Sequence, residues 1–249
     1  MPRNSDMDAP HHNRGDEPHH GSVNSAGTDS TGTDSFADVL RERLSHVLWL
    51  GGGTGAGKTT TARRLADQYD MYRYDTDESM AVHARRMPAA RAPHLARFAA
   101  MDMDERWVTR DPHEMLDTFH WFHGEGFDLI VEDLLAMPDD RPVIVEGFRL
   151  LPDLVRPLLA DVRNALWLLP TPAFRQMVFD SRGGAHWGFV AKTGDPQRAL
   201  QNLLQRDALF TDRLADQTRD LGLQTLGVDI TLAEGELARQ VSTVFGLEN

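Results

Sequence analysis

The sequence predicts a parallel α/β fold, in which a buried sheet is covered by helices on both faces. Short apolar runs recur along the chain between segments with helical spacing. These runs are nearly continuous rather than alternating, as is typical of parallel strands buried on both sides. A glycine-rich stretch, GGGTGAGKTT at 51–60, separates the first apolar run from a helical segment. Together these observations favour strands alternating with helices.

Five apolar runs are predicted to be the strands. We expect them at 46–50 (HVLWL), 71–75 (MYRYD), 142–147 (PVIVEG), 164–169 (NALWLL) and 223–228 (LQTLGV). One helix is expected directly after the glycines, over KTTTARRLADQY, and a last one over AEGELARQVSTVF. The helical patterns between 78 and 135 are broken near Pro88, Pro93, Pro112 and 124–126, because proline and glycine interrupt helices.

The composition limits the classes of protein that the chain can belong to. The 249 residues carry a net charge of -12, which disfavours nucleic acid or an anionic membrane as a partner. The sequence has no cysteine, which excludes disulfides, thiolate nucleophiles and cysteine zinc sites. No apolar run reaches the roughly 20 residues that span a bilayer, and the polar N-terminus does not resemble a signal peptide. We therefore expect a soluble, cytoplasmic protein, and the sequence leaves the oligomeric state open.

Composition also divides the chain into two regions. Residues 1–36 are rich in small polar residues and histidine, which predicts a disordered tail. Its paired histidines, at 11–12 and 19–20, could bind a metal ion or simply be solvated. Residues 37–249 are expected to form one domain, with a helical acceptor-binding insertion at 78–141 and a lid region at 175–213.

The glycine-rich stretch has the spacing of a phosphate-binding loop. Gly52, Gly57, Lys58 and Thr59 satisfy G-x-x-x-x-G-K-[ST] between a predicted strand and a predicted helix. Backbone N–H groups of such a loop surround phosphates, and the helix N-terminus adds positive charge. Only two of the 26 basic residues are lysines, yet Lys58 is one of them, because a compact ammonium can enter the loop where a planar guanidinium cannot. The alternative is an incidental glycine-rich turn.

The residues predicted to bind the nucleotide are Gly53, Thr54, Gly55, Ala56, Gly57, Lys58, Thr59 and Thr60. Within this set, Thr59 is expected to offer its hydroxyl to Mg²⁺.

Carboxylates follow two of the predicted strands. Asp75 and Asp77 come at the end of the second strand, and Glu146 comes at the end of the third. Ligands of open parallel sheets lie at these carboxyl ends. One aspartate is expected to hold Mg²⁺ through water, a role we assign to Asp75, and the other to position or deprotonate the acceptor. Glu146 is expected to orient the metal's water or the acceptor. The alternatives are that the aspartates cap a helix and that Glu146 faces solvent.

Basic residues after the fourth strand predict a lid over the reacting phosphate. Positive groups on a closing segment stabilise the charge that spreads over a transferring phosphoryl group. The best single candidate is Arg182, in the glycine-rich stretch SRGGAHWGFVAKTGDP. The alternative is that these are ordinary solvated charges. The predicted lid residues are Arg175, Arg182, Lys192, Arg206 and Arg213.

The insertion is predicted to determine acceptor specificity. Its segment MDMDERWVTRDPHEMLDTFHWFHGEGF, at 101–127, is dense in aromatic, histidine and arginine residues. Arg106 and Arg110 are expected to contact the acceptor, because a guanidinium can clamp an anionic group. Tryptophan and arginine together could sandwich a ring. The alternative is that the aromatic residues belong to the core.

These motifs resemble those of P-loop small-molecule and nucleoside monophosphate kinases, over about residues 45–247. DTDE (75–78) is similar to the shikimate kinase-like group, and VIVEG (143–147) looks like the third strand of uridine kinase-like enzymes. VDI (228–230) stands where the family's last strand leads into the loop around the base. The resemblance implies a five-stranded parallel sheet in strand order 2-3-1-4-5 with helices on both faces, a lid and an acceptor-binding insertion. EGFRLLP (146–152) replaces the glycine triplet of shikimate kinases.

The sequence therefore predicts an ATP- and Mg²⁺-dependent kinase acting on the hydroxyl or phosphate of a small-molecule acceptor. The predicted catalytic residues are Lys58, Asp75, Asp77, Glu146 and Arg182. One alternative is a regulatory P-loop NTPase or nucleotide-binding switch, although the chain has no N-K-x-D motif for guanine. A second alternative is a kinase-fold binding protein without catalysis. The acceptor and the choice of triphosphate are left open.

Overall fold

The sheet has the predicted topology. The structure is a computed structural model that describes residues 31–248, with side chains from residue 36 onward. All strand pairs are parallel, and the strand order 2-3-1-4-5 confirms the predicted fold class. Each strand lies within two residues of its predicted run. The strands are β1 (Val47–Gly52), β2 (Tyr72–Asp75), β3 (Val143–Glu146), β4 (Ala165–Pro170) and β5 (Gln224–Val228).

Helices connect the strands. They are α1 (Thr31–Arg43), α2 (Lys58–Tyr69), α3 (Thr76–Arg86), α4 (Pro93–Ala100), α5 (Pro112–Thr118), α6 (Phe127–Ala136), α7 (Pro152–Val155), α8 (Pro172–Ser181), α9 (Pro196–Asp220) and α10 (Glu234–Val244). A π-helical turn covers Glu105–Thr109. Single 3₁₀ turns cover His120–His123, Arg156–Leu158, Val162–Asn164, Gly184–His186 and Val190–Lys192. The helix breaks in the insertion fall where proline and glycine predicted them.

Two hydrophobic cores lie on opposite faces of the sheet. Because side chains alternate along a strand, Trp49 and Trp167 face one core, and Leu50 and Leu168 face the other. The first core lies against α9 and the aromatic residues of the insertion. The second is covered by α2 and α10. Both faces of the central strands are buried, as their continuous apolar runs indicate.

The N-terminal boundary differs in position from the predicted one. Helix α1 begins at Thr31, so the boundary at residue 36 falls inside this helix. Residues 1–30, including both histidine pairs, lie outside the described residues. None of the helices within residues 31–248 is both long enough and apolar enough to cross a bilayer.

Candidate active site

The glycine-rich loop joins β1 to α2 through backbone conformations that favour glycine. Gly52 has a φ of +132°, and a Cβ there would lie 2.2 Å from the carbonyl oxygen of Leu168 on β4. Gly57 precedes the first turn of α2 with a φ of +81°. Side chains at either position would strain the backbone or collide with β4. The glycines are therefore required for the loop to pass closely between the sheet and the helix.

Lys58 lies at the centre of the loop. Its Nζ donates hydrogen bonds to the carbonyl oxygens of Gly52 (3.2 Å) and Gly53 (2.9 Å). Burial lowers the pKa of Lys58, while the carboxylates of Asp77 and Glu146 act in the opposite direction. A polyanion bound beside this buried ammonium would stabilise its charged form, because the anion replaces the stabilisation that water gives an exposed lysine.

The loop surrounds a small cavity of about 110 Å³, called here the phosphate cavity. Residues 54–60 form most of its wall, and Asp77, Glu146, Phe148 and Arg182 complete it. Lys58 is part of the loop wall. The structure thus brings together four of the five residues that the sequence predicts to be catalytic, from four separate segments of the chain.

Sheet register places the carboxylates beside the loop. In the parallel ladder, Glu146 lies between Leu50 of β1 and Asp75 of β2. The next residue, Gly147, has a φ of +150°, and a Cβ there would lie 1.7 Å from Oγ1 of Thr76. A side chain at this position would therefore push the start of α3 away from β3. Gly147 thus allows Asp77, on α3, to lie at the same cavity as Glu146.

Glu146 is buried with little compensating charge. Burial, followed by the nearby Asp75, raises the pKa of Glu146 to about 7. The Thr59 hydroxyl and Lys58 lower it in part. Arg73 contributes one long contact, with its Nη1 3.4 Å from Oε1 of Glu146. The sequence prediction that Glu146 faces the cleft agrees with this position, whereas a solvent-facing position does not.

Asp75 caps a helix beside the phosphate cavity. Its Oδ1 accepts a hydrogen bond from the Asp77 backbone N–H at 2.9 Å, so Asp75 is the N-cap of α3. Its Oδ2 lies 2.9 Å from Nη1 of Arg73. Both oxygens are engaged, and Asp75 is not part of the phosphate-cavity wall. The helix cap that was the alternative is therefore present, and a role for Asp75 in holding Mg²⁺ through water stays a prediction.

Asp77 is open to two cavities. It lines the phosphate cavity and also a second, larger cavity on the side of the insertion. Enclosure by the protein raises the pKa of its carboxyl, and the Lys58 ammonium partly opposes that shift. This position is the one that a group would need in order to contact both a phosphate and an incoming acceptor.

The larger cavity has a volume of about 790 Å³ and walls rich in phenylalanine and tryptophan, so it is called here the aromatic cavity. Part of its wall comes from the insertion, as predicted, through Trp107, His120 and Trp121. The rest comes from other segments, including Phe148 after β3 and Trp187 between α8 and α9. These contributors are far apart in sequence, so no local pattern could have identified them as a set.

A third cavity, of about 520 Å³, lies on the other side of the loop between α8 and the start of α10. Its wall includes Gly55, Gly57 and Thr60 of the loop, together with apolar side chains such as Val178 and Leu232. We call it the α8–α10 cavity. The segment after VDI (228–230) contributes to its wall. The resemblance to P-loop kinases places the loop around the nucleotide base at this point of the chain.

Arg182 lies where the three cavities meet, because it lines all of them. It follows directly after α8, and its guanidinium carbon lies 5.6 Å from the ring centroid of Trp187. The next two residues, Gly183 and Gly184, both have positive φ values, which gives the backbone here a sharp change of direction. Of the predicted lid residues, Arg182 has the position expected of a lid arginine.

The other predicted lid residues have different environments. Arg175 is buried at the base of α8 and donates to Thr211 Oγ1 at 2.5 Å, so it supports the loop from below. Arg206 is buried in the wall of the aromatic cavity. Arg213 pairs with Asp117 at 2.9 Å on the surface, and Lys192 is exposed. None of these four residues lines the phosphate cavity, and their expected role in a lid stays a prediction.

The two insertion arginines are used by the insertion itself. Arg106 lines the aromatic cavity, but it donates to the carbonyl oxygens of Phe98 and Ala99, both at 3.0 Å. Arg110 is buried and donates to Glu105 O (3.1 Å) and to the Thr118 hydroxyl (2.6 Å). Arg110 is not part of the cavity wall. Its guanidinium therefore stabilises the fold of the insertion instead of clamping an acceptor.

Arg149 was not predicted, yet it connects the insertion to the site. It is buried and donates to the carbonyl oxygens of Thr76 (3.0 Å) and Gly126 (3.2 Å), and its Nη2 lies 3.0 Å from Nδ1 of His83. Its guanidinium carbon lies 4.1 Å from the ring centroid of Trp121. These contacts hold the first turn of α3, and hence Asp77, against the insertion. One signal in the sequence distinguished Arg149. It stands in EGFRLLP (146–152), where the chain departs from the shikimate kinase pattern.

The donor set of the phosphate cavity fits Mg²⁺. Within residues 31–248, no three histidine or acidic side chains converge as a complete ligand set. Mg²⁺ does not need one, since it keeps several waters and binds through one or two carboxylates plus substrate phosphates. Thr59 and Glu146 would supply hard oxygen ligands, and a cation bound beside Glu146 would favour the ionised carboxylate that burial, followed by Asp75, disfavours.

Comparison with known proteins adds little to this description. No protein-family model matches the chain, and no curated protein matches it. A crystal structure of a gluconokinase from Sinorhizobium meliloti 1021 is similar at 17% sequence identity, with a TM-score of 0.43. The match covers 82% of this chain and 94% of that one. A likeness this distant bears on neither the activity nor the acceptor, so the functional argument depends on the site itself.

Proposed function

We propose that the protein is an ATP- and Mg²⁺-dependent kinase that transfers the γ-phosphoryl group to a hydroxyl of a small molecule. The observation that carries this proposal is the meeting of three cavities at Arg182, with Asp77 between the phosphate cavity and the aromatic cavity. A kinase needs one site for the nucleotide base, one for the phosphates and one for the acceptor, and these sites must adjoin at the phosphoryl group that is transferred.

Each cavity has one role in this scheme. The nucleoside of ATP occupies the α8–α10 cavity, and the phosphates lie in the loop against Lys58 and the N-terminus of α2. Thr59 and Glu146 would hold Mg²⁺, which would neutralise part of the phosphate charge. The acceptor occupies the aromatic cavity and presents a hydroxyl toward Asp77.

The transfer step uses this chain's own groups as follows. The acceptor oxygen forms a bond to the γ-phosphorus, and the bond from that phosphorus to the bridging oxygen breaks. The electron pair of the broken bond leaves with ADP. The hydroxyl proton passes to the Asp77 carboxylate, whose raised pKa makes it a better proton acceptor than an ordinary aspartate. Arg182 and Lys58 stabilise the charge on the transferring group.

The experiment that tests the proposal separates transfer from hydrolysis. ADP formation is measured with and without a panel of candidate acceptors, and phosphorylated products are sought by mass spectrometry. The kinase proposal expects slow hydrolysis alone and acceptor-dependent ADP formation with a phosphorylated product. Rapid hydrolysis that no acceptor increases, but that a protein partner stimulates, would instead identify a nucleotide-dependent switch.

A further inference from the structure

The walls of the aromatic cavity limit what can bind there. Phe98, Phe119, Phe148 and Phe189 line it together with tryptophans and short aliphatic side chains. A molecule with many hydroxyl groups would lose its hydration on entering and regain few hydrogen bonds, which costs free energy for each group. A volume of about 790 Å³ accommodates a molecule with several rings. The cavity therefore favours an apolar or aromatic body.

The charged groups of the wall do not form an anion site. Arg206 donates to Asp207 through Nε (2.9 Å) and Nη2 (2.5 Å), and aromatic rings surround its guanidinium. Arg106 already donates to two backbone carbonyl oxygens. Burial, followed by the charge of Arg149, lowers the pKa of His120 to about 3, so this imidazole is neutral at physiological pH. A carboxylate or phosphate on the acceptor would therefore find little free positive charge away from Arg182.

Two residues of the wall each carry a buried polar atom that has no hydrogen-bond partner within residues 31–248. They are Oδ2 of Asp207 and Nδ1 of His120. Asp207 is fully buried and His120 is 3% exposed, so solvent does not reach them freely. An unpaired buried carboxylate oxygen is costly, and a ligand O–H or N–H group would satisfy it. The wall thus combines apolar surface with a carboxylate oxygen that can accept a hydrogen bond from a ligand.

We propose that the acceptor is an uncharged alcohol with an aromatic or other ring body, which presents its hydroxyl to Asp77 and a second O–H or N–H donor to Asp207. This inference depends on the proposed kinase function for the fate of the hydroxyl. The binding part of it, an apolar neutral ligand with a donor for Asp207, depends only on the cavity. Sugar acids and nucleoside monophosphates are excluded as preferred occupants by the same argument.

Calorimetric titration in the presence of Mg²⁺ and a non-hydrolysable ATP analogue tests the ligand class. The probes are 2-naphthalenemethanol, gluconate and AMP. We expect the naphthyl alcohol to bind at least about tenfold more tightly than either polar probe, with a negative heat-capacity change from apolar burial. Tighter binding of gluconate or AMP overturns the inference. Incubation of the naphthyl alcohol with ATP and Mg²⁺ in place of the analogue then tests transfer by mass spectrometry. Binding in the titration without a phosphorylated product in this incubation supports the ligand class and counts against the kinase proposal, so the two can fail separately.

A matched pair of variants on α3 locates the binding surface. Met80 lines the aromatic cavity, whereas Val82, two residues later, is 48% exposed. Met80→Gln is expected to raise the Kd of 2-naphthalenemethanol about fivefold, because it places an amide against the ring. Val82→Gln is expected to leave the Kd unchanged. Equal effects of the two substitutions would show that the probe does not bind in this cavity.

A second variant tests the donor contact. Asp207→Asn keeps the oxygen that accepts from Arg206 and replaces the unpartnered oxygen with an NH₂ donor. In the wild-type protein, 6-hydroxy-2-naphthalenemethanol is expected to bind about tenfold more tightly than the compound without the second hydroxyl. In the variant the two Kd values are expected to become similar. An unchanged ratio in a folded variant removes Asp207 from the proposal; if that variant does not fold, the ratio in the wild-type protein decides.

Discussion

The phosphate cavity and the aromatic cavity share Asp77 and Arg182, but they are built in different ways. Most of the phosphate cavity comes from one continuous stretch, 54–60, completed by residues at the ends of neighbouring strands and helices. The aromatic cavity takes its wall from α3, α4, the rest of the insertion, the segment after β3, the segment between α8 and α9, and α9 itself. One cavity is local in sequence, and the other is assembled from distant segments.

This difference has an energetic consequence. The phosphate cavity depends on charges and backbone N–H groups whose positions must be accurate, so the loss of one group removes an interaction that nothing replaces. The aromatic cavity depends on apolar area summed over many side chains, so each contributes a modest share. The phosphate cavity should therefore be intolerant of substitution, and the aromatic cavity should be tolerant. The following predictions test that contrast, from the largest expected effect to the smallest.

Replacing the loop lysine should have the largest effect. Lys58→Ala is expected to lower kcat by about 10³-fold, because the charge facing the phosphates is lost. The fold should remain intact, as measured by circular dichroism and thermal melting. Lys192→Ala is a matched control, because Lys192 is the second lysine of the chain and is exposed. Near-normal turnover in Lys58→Ala would mean that the loop is not the site of phosphate binding.

Replacing Asp77, the carboxylate shared by the two cavities, should have the second largest effect on activity. Asp77→Asn is expected to lower kcat by about 10²-fold or more, while ATP affinity changes little, because a proton acceptor is lost but the loop is not. Asp75→Asn is the comparison variant and should cost far less, since asparagine also caps helices well. Steady-state kinetics and nucleotide titration measure both. Equal losses of kcat and ATP affinity in Asp77→Asn would indicate a purely structural role.

The buried carboxyl of the phosphate cavity should make Mg²⁺ binding depend on pH. The pKa of Glu146 is raised to about 7, and only the ionised form is a good ligand. Mg²⁺ affinity in the nucleotide complex is therefore expected to rise with pH through 7 and to fall by about tenfold per unit well below it. Glu146→Gln should weaken binding and remove this dependence. Glu78→Gln, at a carboxylate with a 71% exposed side chain, should not; a pH profile unaltered by Glu146→Gln would contradict the assignment.

A single change in the aromatic wall should have the smallest effect. Phe189 lines the aromatic cavity, and its ring centroid lies 4.6 Å from the ring centroid of Trp107. Phe189→Leu is expected to reduce acceptor binding by about 1 kcal/mol, or about fivefold in the acceptor KM, because it removes part of the apolar contact area. The kcat should change little. A loss of kcat as large as that of Asp77→Asn would show that this wall is as demanding as the loop, against the contrast drawn above.

The sequence alone predicted the sheet and the loop because both depend on local information. A strand such as β3 is marked by its own apolar run, and strand order followed from the resemblance of a few motifs. Lys58 and Thr59 were identifiable because a phosphate loop requires fixed spacing along one segment. Glu146 was predictable for a related reason, since the end of a parallel strand points to the ligand edge of the sheet.

The roles of individual side chains were decided by contacts between distant parts of the chain. Asp75 and Asp77 are equivalent in the sequence pattern, but one caps α3 and the other faces the cavities, because α3 begins between them. Arg110 and Arg175 were expected at ligands, yet their guanidinium groups donate to the protein's own oxygens.

The sequence by itself therefore determined the parallel α/β fold, the glycine-rich loop after β1 and the edge of the sheet where Glu146 and Asp77 lie. Only the tertiary structure decided that Asp77 and not Asp75 lies between the two cavities, that Oδ2 of Asp207 has no partner within residues 31–248, and that the larger cavity is rich in aromatic side chains. The physical reason is that hydrogen-bond satisfaction and burial are properties of neighbours in space, which strand patterns and loop spacing do not specify.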